Sequence, residues 1–473
     1  ESIHDTLLTK LRTRMETLRI GNPLEKNIDI GSLCSEEQYT RVSSLVAQGK
    51  KEGATLWQPN TSCPTTGYFF PPSLFSNVSP SSQIAQLEIF GPVVVMMPFR
   101  TIEEAIGLAN NTVYGLAASV WTENINLALE VAPRVKCGIV WVNCTNQMDA
   151  AAGFGGVKES GFGREGGREG MYEYLETKRQ SNSKMSARTV GITQAEITEG
   201  IDRTPKLFIG GKQTRPDSGY SRAVYSSKGK LLGQVGEGNR KDIRNAVEAA
   251  HAAAAWGKAT AHNRAQILYY IAENLSARAN EFAARVSAQT GKSGVQEVQE
   301  AINTLFTFAA WADKFDGAVH AIPMRGVTLA MNEPIGVIGI LAPNEQPLMG
   351  TVALLAPAIA LGNTVVLVPS QTHPLCATDF YSVLETSDLP AGVVNIVTGD
   401  SNSLGKTLAE HMDVDALWFS ENAAALEHAS ASNLKRTWHY SLPLESKEAL
   451  RQASQVKNIW IPYGESLEGG TKY

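Results

Sequence analysis

The chain is poor in cysteine. Cys34, Cys63, Cys137, Cys144 and Cys376 are five residues in 473, odd in number and without Cys-x-x-Cys spacing. Such usage argues against a disulfide framework and against a structural zinc site, and predicts a reducing compartment, the cytoplasm. No metal site is expected. A long basic block is also missing, and the net charge is −5, so the electrostatic footprint of a nucleic-acid binder is absent. No N-terminal targeting segment is visible. The most apolar stretch, Thr351 to Val368, is broken by Pro357, Gly362, Asn363 and Thr364. It reads as a helix followed by a buried strand rather than as a membrane span. The first residue is Glu1 rather than methionine, and Leu7, Leu8, Leu11, Met15 and Leu18 already recur at helical spacing. A start inside an element predicts that this is a piece of a longer polypeptide.

What is present suits globular domains. Hydrophobic residues make up 43% of the chain and charged residues 19%, and the length allows two or three domains. Residues 1–180 mix short helices with apolar runs. Val93 to Met97 and Gly138 to Val142 predict buried strands, and Thr101, with Glu103 and Glu104 behind it, predicts a helix start. Residues 181–204 are polar and aperiodic and read as a linker. Residues 205–444 have another texture. Asn239 predicts a helix N-cap, and Arg264 to Arg285 carries one apolar stripe. Strands at Ile335–Leu341, Thr364–Val368, Val393–Val397 and near Leu417 then alternate with helices at Leu348–Leu361, Ala377–Thr386 and Leu404–Met412. That alternation predicts an α/β fold with a doubly wound parallel sheet. Residues 445–473 read as a short helix and an apolar strand, Ile459-Trp460-Ile461. No internal repeat links the two large zones.

Four motifs in order across the first zone carry a resemblance. They are Glu88-Ile89-Phe90-Gly91-Pro92, the run Ala109 to Ala118, Val140-Trp141-Val142-Asn143, and Gly153-Phe154-Gly155-Gly156 continuing to Glu165. Together they resemble the aldehyde dehydrogenase superfamily, and specifically the half of that fold after the nucleophile. Asn332-Glu333-Pro334-Ile335-Gly336, Pro390-Ala391-Gly392-Val393-Val394-Asn395 and Ser432-Asn433-Leu434-Lys435-Arg436 resemble the other, cofactor-binding half. Ala318 to Met331 would be the oligomerisation hairpin, and 181–204 an oligomerisation strand. The order of the halves is reversed. A circular permutation gives that order; so does a tandem of two copies, the layout of aldehyde dehydrogenase family 16, and the tandem is the favoured reading.

The resemblance implies a chemistry. A thiolate attacks an aldehyde, hydride leaves to NAD or NADP, and a carboxylate-activated water hydrolyses the thioester. None of the five cysteines sits in the family's Gly-Gln-x-Cys setting, so no catalytic residue is assigned in this chain. Cys137 and Cys144 read as small buried hydrophobes. Glu88 would hold the nicotinamide ribose and Phe90 would pack by the nicotinamide, on a cofactor brought by an upstream half. Phe154 would line the substrate tunnel. Gly155, Gly156, Gly161 and Gly163 would serve backbone geometry.

In the second zone the working positions depart from the pattern. Glu345 stands for the oxyanion asparagine, with Asn344 one residue earlier. Val368 stands for the lysine of the adenine ribose, Glu421 lies in the phosphate-proximal turn, and Tyr440 stands for the base glutamate. These four degenerate positions predict a non-catalytic, Rossmann-like pseudoenzyme copy, open to protein partners. The rival readings are a wholly non-catalytic scaffold, and a permuted enzyme using Cys376 at a helix start. Strand-forming tails, the linker and Asn458 to Pro462, predict a homodimer built through exposed strand edges. No membrane and no nucleic acid partner is expected.

Overall fold

The computed structural model describes residues 1–175, 206–323 and 325–462. The linker at 181–204 and the end of the tail, 463–473, lie outside the described residues. The chain divides into two compact units, residues 1–137 with 141–145, and residues 138–140 with 146–473.

The first unit is built on a three-stranded sheet, Thr55–Trp57, Ser73–Ser76 and Val93–Val95, antiparallel then parallel. The helix Glu36–Lys51 covers it, capped by the Ser35 hydroxyl, which accepts from the Gln38 N–H. Val42, Val46, Phe70, Phe75, Ile84 and Ile89 form its core. Val93–Val95 is a strand as its apolar run predicts, but it is not buried. It is the edge of its sheet, and Val94 is 48% exposed. The helix Ile102–Asn110 starts as predicted, with the Thr101 hydroxyl accepting from the Glu104 N–H.

In the second unit a seven-stranded sheet runs in the order Arg436–His439, Ala416–Phe419, Val337–Leu341, Thr364–Val368, Val394–Ile396, Leu207–Ile209, Lys212–Thr214. The first five strands are parallel, as a sheet fed by crossover helices must be. Strand order reverses beside Val337–Leu341, so a crevice is expected outside the carboxyl ends at that point. The edge strand Arg436–His439 is invisible to periodicity. Its Arg-Thr-Trp-His composition fits a half-covered edge rather than a buried run. Asn239 caps the helix Arg240–Ala252 in a reciprocal capping box with Asp242. The stripe from 264 to 285 is two helices, Ala261–Ala277 and Ala279–Thr290, broken at Arg278 (φ −107°, ψ 15°) with no glycine or proline to signal it.

A second sheet holds Ala318–His320, Gly326–Pro334 and Ser454–Pro462. The hairpin predicted near 318–332 is its first two strands. Ser454–Pro462 pairs along its whole length with Gly326–Pro334, and on its other side the Asn458 N–H donates to the Gly138 carbonyl at 2.9 Å. This strand is therefore interior to its sheet and offers no free edge to a second chain. Among the described residues no helix is long and apolar enough to cross a membrane.

Candidate functional site

The Glu88–Pro92 loop is held by its backbone while its side chains stay outside. The Gln38 amide, one turn into the Glu36–Lys51 helix, donates to the carbonyls of Ile89 (3.1 Å) and Phe90 (2.8 Å). The Arg41 guanidinium donates to the Glu88 carbonyl at 2.9 Å. Ile89 inserts into the core, and the Pro92 carbonyl accepts from the Ser73 N–H at 2.9 Å. Phe90 sits at φ +56° and is 70% exposed, while Glu88 is exposed. A left-handed, solvent-facing phenylalanine is costly in both backbone and solvation, and such outliers mark function more often than packing. Glu88 follows the four-residue helix Gln83–Gln86, one residue beyond its extended C-cap Leu87. Sequence reading missed Gln38 and Arg41 because nothing along the chain ties them to a loop some fifty residues on.

In the second unit Phe154 is half-buried and exchanges both backbone hydrogen bonds with Glu165, at 2.7 and 2.8 Å. Arg164 holds the glycine-rich turn together. One guanidinium nitrogen donates to the carbonyls of Gly156 (2.6 Å), Phe162 and Gly163 (both 3.1 Å), and the other two reach the Val456 carbonyl. Burial lowers the Arg164 pKa from its ordinary value. Its five donors are what a turn rich in glycine carbonyls lacks, and that shortage was the available signal. A Cβ at Gly155 would collide with the Gly163 carbonyl, and Gly161 takes φ +89°; Gly163 meets no such limit. Phe154 borders a cavity of about 350 Å³.

Beside it the sheet is tied by buried charge. Lys457, 2% exposed, lies 2.6 Å from Glu333. Burial raises the Glu333 pKa, and Lys457 opposes that shift. Glu169 accepts from the Asn458 amide at 2.9 Å and faces His320 Nε2 at 3.2 Å.

At the carboxyl edge of the parallel sheet the side chains satisfy one another. Asn344 Oδ1 accepts from the Ser370 hydroxyl, the Thr372 hydroxyl and the Thr372 N–H, all within 3.1–3.2 Å. Glu345 is exposed. Val368 is 1% exposed and ends its strand without a donor. Glu297 takes the N–H groups of Leu348 (2.8 Å) and Met349 (3.2 Å), so the start of the helix Pro347–Ala360 already carries a carboxylate. Burial raises the pKa of Glu297, and those two N–H groups oppose the shift. Glu421 is exposed just before the helix Ala423–Ser430, whose N-cap Asn422 is left-handed. Tyr440 is 2% exposed. Its hydroxyl donates to the Leu341 carbonyl at 2.7 Å, its ring lies 5.9 Å from that of Trp438, and burial raises its phenol well above the ordinary range.

Cys376 is fully buried, 2.8 Å from the Gln289 amide, and burial pushes its thiol well above the ordinary value. Glu297 and Asp379 push the same way and Arg285 opposes them only in part, so these surroundings disfavour the thiolate that the permuted-enzyme reading needs. Cys137 is buried as expected, but Cys144 is only half-buried. All five cysteines are unbridged. Among the described residues no group of three or more His, Cys, Asp or Glu could hold a metal ion.

The profile of the Aldehyde dehydrogenase family matches residues 1–180 and 214–450. The chain is 43% identical over 178 residues to aldehyde dehydrogenase 1A1 of Rattus norvegicus, covering 38% of this chain and 36% of that protein. The same enzyme of Gallus gallus matches at 43%, covering 38% and 35%. The chain thus spans about a third of the length of the curated relatives it matches. Among solved structures, betaine aldehyde dehydrogenase of Staphylococcus aureus in complex with NAD+ aligns with a TM-score of 0.48 at 24% identity, over 49% of this chain and 48% of that one.

Proposed function

The chain belongs to the aldehyde dehydrogenase family, and from that premise we propose that it is the C-terminal part of a tandem, family 16-like protein. Residues 1–180 are the post-nucleophile half of a first copy that oxidises an aldehyde to the acid with NAD or NADP. Residues 205–444 are the cofactor half of a second copy that does no chemistry. The observation that carries this reading is the carboxyl edge of the parallel sheet, where Tyr440 is spent on the Leu341 carbonyl. Val368 offers no donor, and Glu421 puts a carboxylate where a pyrophosphate would need N–H groups alone. These residues do not fit a dinucleotide, and no cofactor chemistry is assigned to them.

Glu88 and Phe90 do fit one. The Glu88 carboxylate has two oxygens open to ribose hydroxyls, and Phe90 presents a bare ring face on a pinned loop. A nicotinamide bound there supplies the hydride acceptor. Glu88 orients its ribose, and Gln38 and Arg41 fix the loop. By the family resemblance, Phe154 would line a substrate tunnel. The interior sheet position of Ser454–Pro462 moves the proposed homodimer contact away from that strand. Protein partners would use the second copy, and the five unbridged cysteines suit the cytoplasm.

The test uses a polypeptide extended upstream through a Gly-Gln-x-Cys segment, with NAD(P)H formation from an aldehyde as the readout. Such a protein is expected to be active, and Glu88→Gln to lose about 10–100-fold in kcat/KM, the worth of hydrogen bonds to a charged acceptor. Activity unmoved by Glu88→Gln removes its assigned role. An inactive extended protein favours the scaffold.

A further inference from the structure

The turn that carries Phe154 has few contacts of its own. Gly155, Gly156, Gly161 and Gly163 bring no side chain to pack. Phe154 and Glu165 meet in an isolated bridge of two hydrogen bonds, and Arg164 gathers the carbonyls of Gly156, Phe162 and Gly163. Backbone held so sparsely opens easily unless something outside fixes it. The outside anchors lie 292 and 289 residues further along the chain, on one strand. Two nitrogens of the Arg164 guanidinium donate to the Val456 carbonyl, at 2.8 and 3.2 Å. The Glu169 carboxylate accepts from the Asn458 amide at 2.9 Å, and it lies so close to the Gly153 backbone that a Cβ there would collide with it. The anchors thus grip the turn near both of its ends.

The strand Ser454–Pro462 is a firm support. It pairs over nine residues with Gly326–Pro334 and is interior to its sheet, and Asn458 is fully buried. Arg164 is buried as well, so letting go of the Val456 carbonyl would leave a buried guanidinium short of acceptors. Trp460 of the same strand lines the cavity that Phe154 borders. We propose that Ser454–Pro462, carried by the non-catalytic second copy, positions the Phe154 turn of the first copy, with Arg164 and Glu169 as the positioning residues. This rests on the tandem reading and deepens it, because it gives the second copy a task toward the first copy's site. A half that does no chemistry is then kept as a template for the half that does.

The Phe154 and Glu165 amide protons, which bond across the turn, report its opening by hydrogen exchange in the 473-residue chain. Asn458→Ala removes one anchor from the strand side. It is expected to speed exchange of those two amides about tenfold, the worth of one hydrogen bond to a charged acceptor. Val366, in the middle of a parallel strand, should exchange as in the parent. Arg164→Ala should speed the two turn amides at least as much, and added methylguanidinium should slow them again. Glu169→Ala should match Asn458→Ala, whereas Glu169→Gln keeps an acceptor for the Asn458 amide and should stay within about threefold of the parent. In the upstream-extended polypeptide, Asn458→Ala should raise the KM for an aldehyde about tenfold with kcat within about twofold. A general loss of stability would instead speed every amide and leave KM alone. Unchanged turn exchange in Asn458→Ala and Glu169→Ala, acceleration that extends equally to Val366, or a lower kcat at unchanged KM would each overturn the proposal. The two variants approach one bond from either side, so one that fails to fold does not shield it. The exchange measurement needs no turnover, so an inactive extended polypeptide counts against the oxidation reading alone.

Discussion

Replacing Lys457 by methionine is expected to cost the fold roughly 3 kcal/mol, although the new side chain is apolar and of similar length. Lys457 is 2% exposed and lies 2.6 Å from Glu333 in the strand with which Ser454–Pro462 pairs. Taking away the ammonium leaves a carboxylate in a place where burial already raises its pKa. Removing one member of a buried pair costs about 3–5 kcal/mol. The lower end applies because the Glu333 side chain is 20% exposed and Arg164 also attracts it. The double variant Lys457→Met/Glu333→Leu should recover most of the loss, since a well-packed apolar pair replaces an ion pair at little cost. Urea denaturation followed by circular dichroism reads both. A single variant within about 0.5 kcal/mol of the parent, the usual range for surface changes, would show that the pair is not buried in solution.

The second large effect concerns Tyr440. Tyr440→Glu restores the residue type that the family resemblance implies there, yet it is expected to destabilise the unit by several kcal/mol and to restore no activity. The ring is 2% exposed, packed by Trp438, and its hydroxyl serves the Leu341 carbonyl. A carboxylate would lose that donation, face a carbonyl oxygen and be buried without a cation, which costs several kcal/mol per ion. Tyr440→Phe removes only one hydrogen bond and should cost about 1 kcal/mol. A stable Tyr440→Glu protein that forms NAD(P)H from an aldehyde would contradict the non-catalytic reading.

The parallel sheet was legible because its strands are short apolar runs between helices, and Thr364–Val368 matches to the residue. Edge strands were less so. Arg436–His439 is half-covered and mixed in composition, and Val93–Val95 looks buried only because its composition does not reveal which side lacks a neighbour. The C-terminal strand was recognised, but its place between two others was not, since pairing partners more than a hundred residues apart leave no local trace. The same limit applies to the site. Glu88, Phe90 and Phe154 stand in motifs, whereas Gln38 and Arg164 matter through what they meet in three dimensions. The departures at Glu345, Val368, Glu421 and Tyr440 were visible as residue types. What the sequence could not supply was that Asn344 and Tyr440 are spent on internal hydrogen bonds.

The central claim is that the second copy takes no dinucleotide. Calorimetric titration of the 473-residue chain with NAD+ and then NADP+ tests it most directly. The account predicts no saturable binding up to about 1 mM, which corresponds to less than about 4 kcal/mol of binding free energy. A micromolar Kd that changes on substitution of Glu421 or Val368 would contradict it.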